Sequence, residues 1–177
     1  MENFILINIG NGVGSALYLN NNIYTGSHFG AGEFGHIPVE DCHTRCKCGK
    51  VGCLETLISN ISLEENYTHR NLTNLSAREV YENYEKNDAN SIELVEELGK
   101  NLVKGLIPLV NIINPSSIII NGDINRAGKK FLNFIQEELN KKSFGNNNKL
   151  ELFYSTNEEL IVHMGCAELI LSTLFKK

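Results

Sequence analysis

Apolar residues come in short runs through the first 24 positions and then change period. Phe4-Ile5-Leu6-Ile7-Asn8-Ile9 has the length and β-branched content of a strand, Ser15-Ala16-Leu17-Tyr18-Leu19 reads as a second, and Ile23-Tyr24 continues after Asn20-Asn21-Asn22, residues that tolerate left-handed turn geometry. An antiparallel meander is expected. Beyond position 75 the spacing becomes helical. Ser76-Ala77-Arg78-Glu79 is a capping-box pattern opening a short helix with Tyr81 and Tyr84 on one face. From about Ser91, the residues Ile92, Val95, Leu98, Leu102, Leu106 and Leu109 recur at three- and four-residue steps until Pro115, with Asp88 and Ser91 read as N-terminal caps. Ser117 to Asn121 reads as a buried strand closed by Gly122. Gly128 to Lys141 reads as a helix with Phe131, Phe134, Ile135 and Leu139 on one stripe, Leu150 to Tyr154 as a strand, and Glu158 to Phe175 as a last helix. The order β-β-β-α-β-α-β-α predicts an α/β fold, a mixed sheet flanked by helices.

At 177 residues the chain is expected to form one domain, or one lobe of something larger. Its 42% hydrophobic and 21% charged content is ordinary globular usage and argues against a disordered tail or a rod. Sixteen Lys+Arg against twenty-one Asp+Glu leave a net charge of -5, without the basic footprint that drives binding to nucleic acid, so no direct nucleic acid contact is expected. No apolar run approaches the roughly 18 residues that span a bilayer, and no membrane association is expected. Glu2 stands where a secretory leader carries basic residues, and the expected location is the cytoplasm.

The segment from Gly26 to Gly52 is rich in Gly, Cys and His with little periodicity, and a loop this long inside a compact domain is usually functional. Cys42, Cys46, Cys48 and Cys53 fall within twelve residues, beside His36 and His43. In a reducing compartment such clustering favours a metal over disulfides. Zinc takes thiolate and imidazole tetrahedrally, and Cys46-Lys47-Cys48-Gly49-Lys50-Val51-Gly52-Cys53 lets the chain turn back at its glycines and present three sulfurs to one centre. Spacing permits His36, Cys42 or His43 as the fourth ligand, and a site closed by four protein ligands is structural. Cys166 is read as a small core residue of the last helix.

Gly10-Asn11-Gly12-Val13-Gly14, between two strands, is a tight turn whose backbone N–H groups a phosphate can approach. Read together with Gly32-Glu33-Phe34-Gly35-His36 and with Cys46 through Glu55, it resembles the ROK family of repressors and sugar kinases: GxGxG, then AGEhGH with h apolar, then CxCGxxGCLE, in order and spacing. Asn114-Pro115, Ile118 to Gly122 and Gly165-Cys166-Ala167 extend the resemblance over essentially the whole chain. The resemblance implies a ribonuclease H-like lobe of the actin-like ATPase fold carrying a zinc-binding loop. It implies zinc on His36, Cys46, Cys48 and Cys53, a sugar held by Glu33, His36 and Glu55, and nucleotide contacts at Gly10, Asn11, Gly12 and Gly122. It further implies a homodimer.

Two positions depart from the kinase pattern. Gly10-Asn11-Gly12 stands where those kinases show GTG, and Asn121-Gly122-Asp123 where they show paired glycines. The phosphate loop and the Asn-Asp pair bearing the catalytic base lie upstream of GxGxG in the family, and only nine residues precede Gly10 here. No catalytic residue is therefore expected in this chain, and Asn87-Asp88 is read as a helix start rather than as that pair. Residues 1–177 are read as a single C-terminal lobe, with a loop over 26–56 that holds metal and sugar. The expected function is sugar sensing for a repressor whose DNA-binding domain and N-terminal lobe lie outside the chain. The alternative is the C-terminal lobe of an ATP- and Mg²⁺-dependent glucokinase or N-acetylhexosamine kinase.

Overall fold

In the computed structural model, which describes residues 2–40, 42–71, 73–144, 149–156 and 161–174, five strands form one sheet in the order β3-β2-β1-β4-β5. Strands β1 (Phe4–Ile9), β2 (Val13–Leu19) and β3 (Asn22–Tyr24) make the antiparallel meander, its β2–β3 turn carried by Asn20 and Asn21 at φ 52° and 61°. Strands β4 (Ser117–Asn121) and β5 (Glu151–Tyr154) are added parallel to β1, which is what right-handed helical crossovers deliver. The helices are α1 (Glu55–Ile58), α2 (Asn60–Asn71), α3 (Ala77–Glu85), α4 (Ala89–Ile113), α5 (Gly128–Lys142) and α6 (Ile161–Leu174). Positions 158–160 and 175 of the expected last helix lie outside the described residues.

Alternation fixes the register of the central strands. Ile5, Ile7 and Ile9 of β1 and Ile118 and Ile120 of β4 are fully buried in the core with Leu98, Leu102 and Leu106 of α4 and Phe131 and Ile135 of α5. A slip of one residue would move Asn8 into that core and every buried isoleucine out of it. The capping box at Ser76 forms, with Glu79 N–H donating to the serine hydroxyl and the Glu79 carboxylate accepting from Ser76 N–H. Asp88 caps α4 by accepting the Ser91 N–H at 2.9 Å; Ser91, expected as a cap, is instead buried in the first turn. Asn114, left-handed at φ 49°, ends α4 one residue before Pro115.

The other sheet face carries Phe4, Leu6, Ile119 and Phe153, and a cavity of about 680 Å³ lies between it and α6. That gap overturns the reading of Cys166 as a core residue. Apolar residues are spread around the helix rather than along one stripe, only one side can face the sheet, and Cys166 is exposed along with Met164, Ile170, Leu171 and Leu174. No helix of the described residues is long and apolar enough to cross a membrane.

Three buried polar atoms, Asn60 Oδ1, Asn125 Oδ1 and the Tyr81 hydroxyl, are poorly served among the described residues. Tyr81 is fully buried, yet its hydroxyl meets no hydrogen-bond partner among the described residues, and the burial drives its pKa far above the usual phenol value. An orphaned buried hydroxyl costs about 1–3 kcal/mol, so Tyr81→Phe is expected to raise the thermal midpoint by roughly 2–4 °C. A lower midpoint in a melting curve would show that the hydroxyl does have a partner.

Candidate metal and ligand site

The loop after β3 is laid back along β2. Ser15 N–H and its hydroxyl both donate to the Gly32 carbonyl, at 2.9 and 3.0 Å, which sets Glu33 and the 3-10 turn Phe34–His36 beside the strand. The chain then runs through Pro38, bridged to Cys53, into a hairpin closed by Gly52 N–H to Thr44 O (3.0 Å) and Cys46 N–H to Lys50 O (2.8 Å). Gly52 has a φ of 84°, and a Cβ there would stand 2.9 Å from the Cys42 carbonyl, so the return to Cys53 requires glycine.

These elements bring His36, Cys46, Cys48 and Cys53 together, with ligand atoms all within 4.8 Å of one another. Cys48 and Cys53 Sγ are 3.6 Å apart, and Cys46 Sγ is 3.8 Å from His36 Nδ1. Four donors at ~2.3 Å (S) and ~2.0 Å (N) from a tetrahedral zinc stand just under 4 Å from each other. The cluster therefore fits such a metal, and the sulfurs are too far apart for disulfides. Cys42 lies outside it, its Sγ 3.4 Å from Thr56 Oγ1, and His43 is likewise not part of it. Of the three fourth ligands that spacing allowed, the geometry selects His36.

The thiols differ in acidity. Burial pushes Cys53 up to about 12, and the neighbouring thiols add to the shift. Cys48 is held below the usual thiol value, mainly by a hydrogen bond from the Lys50 backbone. A metal must displace the Cys53 proton at any ordinary pH. Apparent metal affinity, measured against a chelator, is thus expected to rise at least about tenfold per pH unit between pH 6 and 8. A flat profile would mean that Cys53 is not a ligand.

Around the cluster stand the residues expected to meet a sugar. Glu33 Oε2 is 3.7 Å from His36 Nε2, the ring nitrogen turned away from the sulfurs. Glu55 Oε1 is 3.7 Å from Cys46 Sγ, and its Oε2 accepts the Val13 N–H at 2.9 Å. That last bond ties Glu55 to the glycine turn. A Cβ on Gly12 would sit 3.1 Å from the same oxygen. Gly10 N–H donates to Gly12 O, and Asn11 is exposed at the tip. Gly122, at φ 124°, abuts the Ile9 carbonyl at the neighbouring strand end, so the two glycine segments lie side by side.

Polar residues not expected in the site complete this end of the sheet. Asn60 donates its N–H to Gly10 O (2.8 Å) and its side-chain amide to Asp123 Oδ2 (2.8 Å). Asn121 donates to Asn8 Oδ1 at 2.6 Å and accepts from Ser155 Oγ, while Asn125 donates to Ser155. A signal was available: Asn8 and Asn121 are polar residues at the C-terminal ends of two apolar strands.

Comparison with known proteins agrees with the geometry. The ROK family model matches residues 1–171. The chain belongs to the ROK family. Its relatives include the DNA-binding transcriptional dual regulator NagC of Escherichia coli (strain K12), 32% identical over 151 residues that make up 80% of this chain and 37% of NagC. They also include a glucokinase of Halalkalibacterium halodurans, 32% identical over 151 residues, 77% of this chain and 46% of that protein. Among solved structures, a ROK family transcriptional regulator described as a homolog of the E. coli MLC protein superposes with a TM-score of 0.79 at 27% identity, over 87% of this chain and 42% of that one. This ROK chain spans less than half the length of those relatives. Its fold is the ribonuclease H-like lobe of the actin-like ATPase fold, and the family's repressors and its glucokinases are both among its relatives.

Proposed function

We propose that the chain is the sugar-sensing, zinc-containing C-terminal lobe of a ROK transcriptional repressor, with zinc on His36, Cys46, Cys48 and Cys53 and the sugar on Glu33, His36 and Glu55. Identity does not separate repressor from kinase, since both relatives stand at 32%. The observation that favours the repressor is the hydrogen-bond network of Asn8, Asn121, Ser155 and Asn125. These polar groups, at the strand ends where a kinase would meet its nucleotide, are engaged with each other. A nucleotide would have to break that half-buried network, at about 1 kcal/mol or less for each bond lost.

Zinc, when bound, fixes the His36 ring through Nδ1 and leaves Nε2 and Glu33 to accept or donate to sugar hydroxyls. Such a ligand would bridge this lobe and the one outside the chain, and shift a balance between conformations by a coupling of about 1–3 kcal/mol. The DNA-binding domain, the partner lobe and homodimer formation all belong to this proposal, as does a cytoplasmic location.

The test is calorimetry on the zinc-loaded chain with glucose, xylose and N-acetylglucosamine, and separately with AMPPNP and Mg²⁺. One sugar is expected to bind, Glu33→Gln and Glu55→Gln each weakening it about 10- to 100-fold, and AMPPNP is expected not to bind. Nucleotide binding here, with sugar-dependent ADP release by the complete gene product, would replace the repressor reading with the kinase alternative, in which ATP and Mg²⁺ are held against Gly10, Asn11, Gly12 and Gly122.

A further inference from the structure

The chain contains two Asn-Gly pairs, Asn11-Gly12 and Asn121-Gly122, and the fold treats them in opposite ways. An asparagine before glycine can react with its own main chain, because no Cβ shields the next backbone nitrogen from the side-chain carbonyl carbon. The reaction needs a free nitrogen, an unrestrained amide and water close by. Asn121 lacks the last two. It is 4% exposed within β4, and its amide donates to Asn8 Oδ1 and accepts from Ser155 Oγ. Asn11 has all three. It is exposed at the tip of the β1–β2 turn and borders an open cavity of about 160 Å³, ample for water. Neither its side-chain amide nor the Gly12 N–H has a hydrogen-bond partner among the described residues. The bonds that close the turn use the atoms on either side of that nitrogen's peptide: Gly10 N–H donates to the Gly12 carbonyl, and Val13 N–H to Glu55 Oε2, both at 2.9 Å. Flanking glycines leave the main chain free to bring the reacting atoms together. Arg45, Lys47, Glu55 and Glu65 line the same cavity, two cations against two carboxylates, so exposure and backbone freedom rather than local charge set the reactivity. A threonine at position 11, as in the kinase pattern, would have no amide to lose.

We propose that Asn11 is a site of spontaneous deamidation, and that its isoaspartyl product loosens the hold of the glycine turn on Glu55. The Gly12 nitrogen, its proton taken by hydroxide, bonds to Asn11 Cγ; the Cγ–Nδ2 bond breaks, and ammonia leaves with a proton from water. The resulting succinimide ring takes up one water. Opening at Cγ gives aspartate, and opening at the main-chain carbonyl gives isoaspartate, with the chain rerouted through the side chain and one carbon longer. One water is consumed and one ammonia released, with no change of oxidation state. Either product sets a new carboxylate near that of Glu55, and like charges repel. The longer chain also shifts Gly12, where a Cβ would lie 3.1 Å from Glu55 Oε2, and Val13, whose N–H holds that oxygen.

The zinc-loaded chain is aged at mildly alkaline pH, folded and in urea, then digested and sequenced by mass spectrometry, with isoaspartate counted by a protein isoaspartate methyltransferase. In the folded chain Asn11 is expected to gain about one dalton and to score for isoaspartate at least roughly tenfold faster than Asn121, which is released only by opening of a core strand. In urea the two rates should converge. Asn11→Gln, which would have to close a larger ring, is expected to remove the reaction at that position. Hydrogen exchange reads the consequence. In aged protein the Val13 amide is expected to exchange roughly tenfold faster than in fresh protein, and Asn11→Asp, with the charge but the ordinary backbone, to show a smaller change. Melting curves establish that the aged chain is still folded. An Asn11 that keeps its amide in the folded chain as long as Asn121 does overturns the site. Isoaspartate at position 11 with Val13 protected as before overturns the link to Glu55. Neither readout needs a sugar or a nucleotide.

Discussion

Cys53→Ser is expected to take the metal content of the chain from about one equivalent to none, and to abolish measurable sugar binding with it. Cys53 is the most buried of the four cluster residues at 2% exposure, and it sits between the Pro38 bridge and the fully buried Leu54. A serine hydroxyl there is a far poorer zinc ligand, and it leaves two thiols and an imidazole facing one another without their cation. The hairpin then loses its tie to His36, whose Nδ1 otherwise faces Cys46 at 3.8 Å. Loss of an orienting partner of this kind typically costs 10- to 100-fold in affinity, and loss of the metal itself should exceed that. Elemental analysis alongside a sugar titration checks both halves. A metal-free variant that melts like the wild type and keeps its sugar affinity would break the link between the zinc and the binding residues.

The second large effect is expected at Gly35. A Cβ on that residue would run into the Val13 carbonyl of β2, a backbone atom that cannot swing aside. Alanine must therefore push the 3-10 turn off the strand, at about 1–3 kcal/mol of stability. The displacement falls on His36, the next residue, and on Glu33, two residues before. A shift near 1 Å in a positioning residue can cost about 100-fold. Gly35→Ala should thus lose sugar affinity by 10- to 100-fold and melt at a lower temperature. Gly30→Ala is the matched control, since a Cβ there meets nothing within 4 Å and should change stability by less than about 0.5 kcal/mol. Similar losses in both variants would mean that the loop tolerates no change anywhere, and the contact with Val13 would explain nothing.

Where pattern and burial coincide, the sequence reading matched the structure closely. Strands β1 and β4 occupy their expected ranges, and α4 and α5 begin or end within two residues of them, because each repeats one apolar period without interruption. Helix α2 was not anticipated. It buries Leu63 and Tyr67 at helical spacing, but a single such pair beside the buried polar Asn60 and Ser62 is too short an apolar stripe to read, so its burial against α4 is decided by tertiary contact. Ser91 misled because serine suits a cap, while Asp88 three residues earlier makes the stronger one. The four residues of the Cys/His cluster were legible from spacing to within one choice. The Glu55–Val13 bond, 42 residues apart in the chain, and the closure of Asn8 onto Asn121 were not, since only the assembled sheet brings those groups together.

Helix α6 sets how this chain behaves as a material. A fourteen-residue apolar rod standing off the sheet, with Ile170 at 59% and Leu174 at 71% exposure, leaves a greasy surface and an empty slot beneath it. Detergent, hydrophobic dye or another copy of the same surface can all enter such a slot. The chain should therefore self-associate as its concentration rises, through a surface that shares no residue with the Cys/His cluster.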